Sequence, residues 1–101
     1  YLNLEYSLTD NIDYFLIAAA RGNVKLLEYL YNEHNWSLEI KDDQGNTAAH
    51  YAAQFNQIPA LQFLFSHKPN MIHQKNKKGI SVWMIGTEYG NLSTIKYKQC
   101  I

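Results

Sequence analysis

The chain is poor in several things. Its 101 residues include one cysteine, Cys100, and two prolines. A lone cysteine excludes an internal disulfide and argues against a cysteine-rich zinc site. It fits a reducing compartment. An excess of one charge is also missing. Nine Lys and Arg stand against nine Asp and Glu, whereas a nucleic-acid-binding domain is expected to be strongly basic. The longest apolar run, Tyr14 to Ala20, falls far short of the roughly 20 residues of a membrane span, so no membrane insertion is expected. Residues 1–13 carry acids and no base, unlike the basic start of a secretory leader. The first residue is not Met, and the chain is expected to be a fragment of a longer protein.

What is present is a globular composition, with 47% hydrophobic and 18% charged residues. The neutral total hides a split. Residues 1–50 carry three bases and eight acids, a balance of −5; residues 51–101 carry six bases and one acid, a balance of +5.

The sequence repeats with a period of 34. Asp13, Thr47 and Ser81 align, and all three are good helix N-caps. Leu16 aligns with His50 and Met84. The small residues Ala18, Ala52 and Gly86 align, followed by Ala19, Ala53 and Thr87. Gly22, Asn56 and Gly90 align, residue types that tolerate the left-handed conformation at a helix end. Leu27, Leu61 and Ile95 form another column, as do Tyr29, Phe63 and Tyr97, which read as packing between units. Leu30 and Leu64 align with Lys98, a charge at a stacking position. Leu38 aligns with Ile72, and Gly45 with Gly79.

Each unit reads as two helices. The first spans about 13–21, 47–55 and 81–89; the second spans about 24–32, 58–67 and 92–100, with apolar positions at helical spacing. Pro59 falls just inside a second helix, where its missing N–H does no harm. The segments 40–47 and 74–81 carry the turn sequences Asp-Gln-Gly-Asn and Lys-Lys-Gly and are expected to protrude as hairpins. His34, His67 and His73 are expected in loops. Neither helix of a pair can bury its apolar face alone, so stacked units are expected to share a one-dimensional core. The expected boundaries are a capping segment at 1–12, units at 13–46 and 47–80, and a degenerate, truncated third unit at 81–101.

The run Asp43-Gln-Gly-Asn-Thr-Ala-Ala-His-Tyr-Ala-Ala-Gln-Phe-Asn-Gln resembles the ankyrin repeat. That family carries a hairpin Gly, then Thr-Pro-Leu-His, then Ala-Ala and a Gly. Here Gly45, Thr47, His50, Ala52 and Ala53 match, while Ala48 and Ala49 replace Pro-Leu and Asn56 replaces the Gly. The first unit keeps Ala-Ala-Ala-Arg-Gly-Asn at 18–23, and the third recovers at Gly90-Asn-Leu. The period is one longer than the family's usual 33, and the extra residue is expected after each second helix, near 32–37 and 66–71. The resemblance implies an all-α solenoid of helix-turn-helix units joined by hairpin loops.

Taken alone, His50 is a candidate general base or ligand; the resemblance implies a structural role instead, bonding the backbone near the hairpin. Thr47, Ala52, Ala53, Gly45 and Gly79 are structural by the same reasoning. No His-Glu-x-x-His, glycine-rich phosphate loop or nucleophile–base pair occurs in the sequence. No catalysis, cofactor, metal or small-molecule substrate is expected.

The resemblance implies a protein–protein interaction module, intracellular, with its first helices and hairpins as the binding surface. Tyr51, Phe55 and Tyr89 fall in columns that face the concave groove in ankyrin-like stacks, where an aromatic is either an interface anchor or ordinary packing. Arg21 shares the column of Phe55 and Tyr89, and Glu88 lies beside it. On the hairpins the candidates are Asp42, Gln44, Asn46, Lys75, Lys77 and Lys78. The lysine run reads either as a solvated tip or as a site for a partner with an acidic patch. Three alternatives remain open: a substrate-recruiting or spacer domain of a larger enzyme, a secreted bacterial effector acting in a host cell, and an internal support with no partner of its own.

Overall fold

The structure is a computed structural model and describes residues 11–34 and 37–100. The described residues hold six α-helices and one 3-10 helix: α1 (Asn11–Ala20), α2 (Val24–His34), α3 (Ala48–Gln54), α4 (Ile58–His67), the 3-10 segment Pro69–His73, α5 (Val82–Glu88) and α6 (Leu92–Cys100). The fold is all-α.

The helices begin and end where the local chemistry dictates. Thr47 and Ser81 are extended N-caps of α3 and α5. Ser81 Oγ accepts the N–H of Met84 at 3.2 Å, satisfying a donor that the first turn leaves free. The ends of α1, α3 and α5 repeat one motif. Gly22, Asn56 and Gly90 have φ of 70°, 59° and 67°. The next N–H in each case returns to a carbonyl of the last turn: Asn23 to Ala18, Gln57 to Ala52 and Asn91 to Gly86, at 2.9, 2.7 and 2.9 Å. This left-handed stop turns the chain back at once into the second helix. Asp13 does not cap α1: the helix starts at Asn11 and holds Asp13 inside.

Helices α1, α3 and α5 lie side by side in one layer, termed the inner layer, and α2, α4 and α6 back them in a second, the outer layer. The body measures 39 × 25 × 25 Å. Ala18, Ala19, Ala48, Ala49, Ala52, Ala53 and Ala60 are all buried. Their small side chains let the backbones of neighbouring helices approach. Phe15, Leu27, Leu38, Leu61, Leu64, Met71 and Val82 fill the space between the layers. Polar ties cross from pair to pair. Gln57 Nε2 donates to the carbonyl of Ala20 at 3.0 Å. Asn91 Nδ2 donates to the carbonyls of Ala53 and Gln54 at 2.6 and 2.7 Å. The buried Thr94 donates through N–H and hydroxyl to Asn56 Oδ1.

Several expectations change. The segment after α4 is not a plain loop: Pro69–His73 forms a 3-10 turn that buries Met71 and leaves Ile72 half-exposed. His34 and His67 end α2 and α4, and His73 ends the 3-10 turn. The column Tyr29, Phe63, Tyr97 is not uniform. Phe63 is buried against Tyr31 and His67, and Tyr97 is half-buried among Phe65 and Trp83. Tyr29 is 52% exposed on the outer layer. The capping segment expected at 1–12 lies outside the described residues apart from Asn11 and Ile12, which open α1.

Candidate interaction surface

Two hairpin turns, one before α3 and one before α5, are built on the same chemistry. In the first, Asp42 N–H donates to the carbonyl of Asn46 and Gly45 N–H to that of Asp42, at 3.1 and 3.0 Å. Asp42 Oδ1 accepts the N–H groups of Gln44 and Asn46, both at 2.9 Å. In the second, Asn76 N–H donates to Ile80 and Gly79 N–H to Asn76, at 3.0 and 2.9 Å. Asn76 Oδ1 accepts the N–H groups of Lys78 and Ile80. Asp42 and Asn76 are 34 residues apart and do the same work.

The two turns stack. Lys77 N–H donates to the carbonyl of Gln44 at 2.9 Å, and Asn76 Nδ2 donates to Asn46 Oδ1 at 2.9 Å. Gln74 Nε2 reaches Glu39 Oε1 at 2.7 Å. Gly45 sits in this contact with φ of 78°, and a Cβ there would lie 2.9 Å from the Lys77 nitrogen.

His50 joins the stack to the helices. It is fully buried. Its Nδ1 lies 3.1 Å from the Thr47 nitrogen and 2.9 Å from the Thr47 hydroxyl, and its Nε2 lies 3.0 Å from the carbonyl of Ile80. A backbone N–H can only donate and a carbonyl only accept. These neighbours therefore assign the neutral tautomer with its hydrogen on Nε2. Burial lowers the His50 pKa, against the opposing pull of the Ile80 carbonyl and Asp42 and with a small push from Lys41. The environment of His50 is that of a structural pin between one hairpin and the next.

The exposed candidates fall into two groups. Phe55 and Tyr89 are 52% and 55% exposed at the ends of α3 and α5, and Arg21 is exposed at the end of α1. Glu88 is exposed and lines a shallow cavity with Trp83, Met84, Thr87 and Lys98. Gln44, Lys75, Lys77 and Lys78 are exposed on the turns. Asp42 and Asn46 are half-buried and already occupied by the bonds above. Tyr51 is half-buried, and its hydroxyl donates to Asp42 Oδ2. Burial would raise the Asp42 pKa, but the Tyr51 hydroxyl and the N–H groups of Asn46 and Gln44 outweigh it and hold the carboxyl below its usual value.

The structure brings Asp42, Tyr51 and Phe55 together with Leu16, Ile17 and Ala20 around a cavity of about 230 Å³ between α1 and α3. Leu16, Ile17 and Ala20 were not candidates on sequence. The turn role shared by Asp42 and Asn76, and the cross-pair amides of Gln57 and Asn91, were also missed. Both were available from the 34-residue alignment, which superposes like side chains at those positions.

Among the described residues, no three His, Cys, Asp or Glu side chains gather as a metal site. No described helix is long and apolar enough to cross a membrane. The 101 residues are 39% identical over 66 residues to Transient receptor potential cation channel subfamily A member 1 of Homo sapiens, a match covering 60% of this chain. The chain spans about 6% of the length of that curated relative. A family model described as ankyrin repeats (many copies) matches residues 15–65, just over half of the chain. Ankyrin repeats are generally protein–protein interaction modules and are typically non-catalytic. With its paired helices and stacked hairpins, this chain belongs to the ankyrin-repeat family.

Proposed function

We propose that this chain is a protein-recognition module without catalysis of its own. It binds a partner protein across the inner helix layer, α1, α3 and α5, and the tips of the two hairpins. The observation that carries this reading is the exposed row of Arg21, Phe55 and Tyr89 along three successive helix ends. Aromatic and Arg side chains dominate the energetics of interfaces. Here they sit on short helices pinned by His50, Gln57 and Asn91, so little ordering opposes binding. The exposed Lys75, Lys77 and Lys78 extend this surface toward a partner carrying an acidic patch. A lone cysteine fits an intracellular setting.

The test is a binding comparison with the longest natural chain. The double variant Phe55→Ala, Tyr89→Ala is expected to weaken partner binding about tenfold or more, while Tyr29→Ala on the outer layer leaves it unchanged. Equal effects from the two faces, or a collapse of thermal stability in the double variant, would count against the reading. Lys75→Glu, Lys77→Glu and Lys78→Glu together should weaken binding and its salt dependence.

A further inference from the structure

The cavity between α1 and α3 has a composition that the general reading does not use. Its walls are Leu16, Ile17, Ala20 and Phe55, and its polar rim is the Tyr51 hydroxyl and the Asp42 carboxylate. At about 230 Å³ it is smaller than the roughly 300–1,000 Å³ of pockets that hold metabolites or drug-sized ligands. It suits a single side chain.

The charged group of the cavity is an acid. A carboxylate offers about four lone-pair sites, and three of those of Asp42 are taken by Gln44, Asn46 and Tyr51. Room remains for one further donor. The flanking residues reinforce the sign, with Glu39 and Asp43 against Lys41. An occupant with a neutral, non-donating tip would cover the remaining lone-pair site of the carboxylate without supplying a donor. An acidic occupant would be repelled. A long aliphatic stem ending in a cation meets both the wall and the rim.

We propose that this cavity is a specificity pocket for a Lys or Arg side chain of the partner protein. The aliphatic stem lies on Ile17, Leu16 and Phe55, and the cationic head donates to Asp42. The proposal rests on the recognition role above but is narrower. It also gives the surface two electrical ends: an acidic pocket beside the first hairpin and a lysine-rich second hairpin, so the fitting partner segment is basic at one end and acidic at the other.

Asp42 can be neutralised without losing its turn. Asn76 makes the equivalent bonds from an amide oxygen, so Asp42→Asn is expected to fold. The experiment follows backbone amide shifts of the 101-residue chain on titration with the N-acetyl methylamides of lysine, arginine, norleucine and glutamate. The lysine and arginine probes are expected to shift the amides of Ile17, Ala20, Tyr51 and Phe55. They should bind about fivefold or more tightly than norleucine, which has the stem without the charge. Glutamate should bind weakest. Asp42→Asn should bring lysine down to the norleucine level, and Ile17→Ser should weaken lysine and norleucine alike. Should Asp42→Asn lower the melting temperature, raising salt from about 0.05 M to about 0.5 M on the unaltered chain replaces it, and the lysine advantage should shrink. Norleucine binding as well as lysine, lysine binding insensitive to both Asp42→Asn and salt, or shifts mapping elsewhere would overturn the pocket. Tyr89 lies outside this pocket, so the broader reading can stand on Tyr89→Ala alone where this one fails.

Discussion

The second and third helix pairs carry one residue pattern at a distance of 34 positions, yet they meet different surroundings. His50 is fully buried because the following hairpin lies over it and receives its Nε2–H. Met84, its counterpart, is 52% exposed. Leu64 is fully buried between layers, whereas its counterpart Lys98 is exposed. Gly45 is packed against the Lys77 backbone, whereas Gly79 has nothing within 4 Å of an added Cβ. In a stack, a position is thus stabilising only as far as the neighbouring unit covers it. Two positions of one column are different sites in energetic terms wherever their cover differs.

That difference can be broken by paired substitutions. The largest gap is expected between Leu64→Ala and Lys98→Ala. The first empties a filled core and should cost about 2–5 kcal/mol; the second should stay within about 0.5 kcal/mol. Urea unfolding of the two variants measures both. His50→Ala should cost about 2–3 kcal/mol, since it strands the buried Thr47 N–H and removes one of the two donors to the Ile80 carbonyl. Met84→Ala should cost under about 1 kcal/mol.

Acid should find the same weak point. The pKa of His50 is lowered on folding, so between its folded and unfolded values the unfolded chain binds the extra proton. Its contribution is complete above the unfolded value of about 6.5 and is lost as pH falls below it. The urea midpoint is expected to be flat above that pH and to decline below it. His50→Gln, which keeps an acceptor and a donor, should flatten the decline. Asp42 acts in the same direction at lower pH, because its lowered carboxyl pKa must be overcome by acid.

The smallest contrast is at the turns. Gly45 and Gly79 have φ of 78° and 76°, so alanine at either should cost about 1–2 kcal/mol in backbone strain. Gly45→Ala adds a collision with the Lys77 backbone nitrogen and should be the worse of the two in a melting experiment.

Most of the fold was legible because the signals are local. A hydroxyl cap before α3 and α5 and a Gly or Asn after α1, α3 and α5 are one-residue decisions, and Thr47, Ser81, Gly22, Asn56 and Gly90 all fall where the chain turns. What depends on neighbours was less so. Tyr29 aligns with Phe63, but exposure on the outer layer is decided by packing that a repeat column does not encode. Asp13 aligns with two true caps, yet α1 begins upstream of it. The 3-10 turn at Pro69–His73 shifts burial from Ile72 to Met71, a register change invisible to a fixed period. A repeat column groups residues along single helices. The cavity needed contributions from α1, α3 and a hairpin, so Leu16, Ile17 and Ala20 came into view only once those elements were placed.

The most direct test of the recognition surface compares its face with the opposite one. A photo-reactive phenylalanine analogue is placed at position 55 on the inner layer, or at position 29 on the outer layer, in the full-length protein within cells that produce it. Both sites are about half exposed, so accessibility does not favour either. The account predicts discrete partner adducts from position 55 and none from position 29. Equal yields from the two positions, or adducts from position 29 alone, would contradict it.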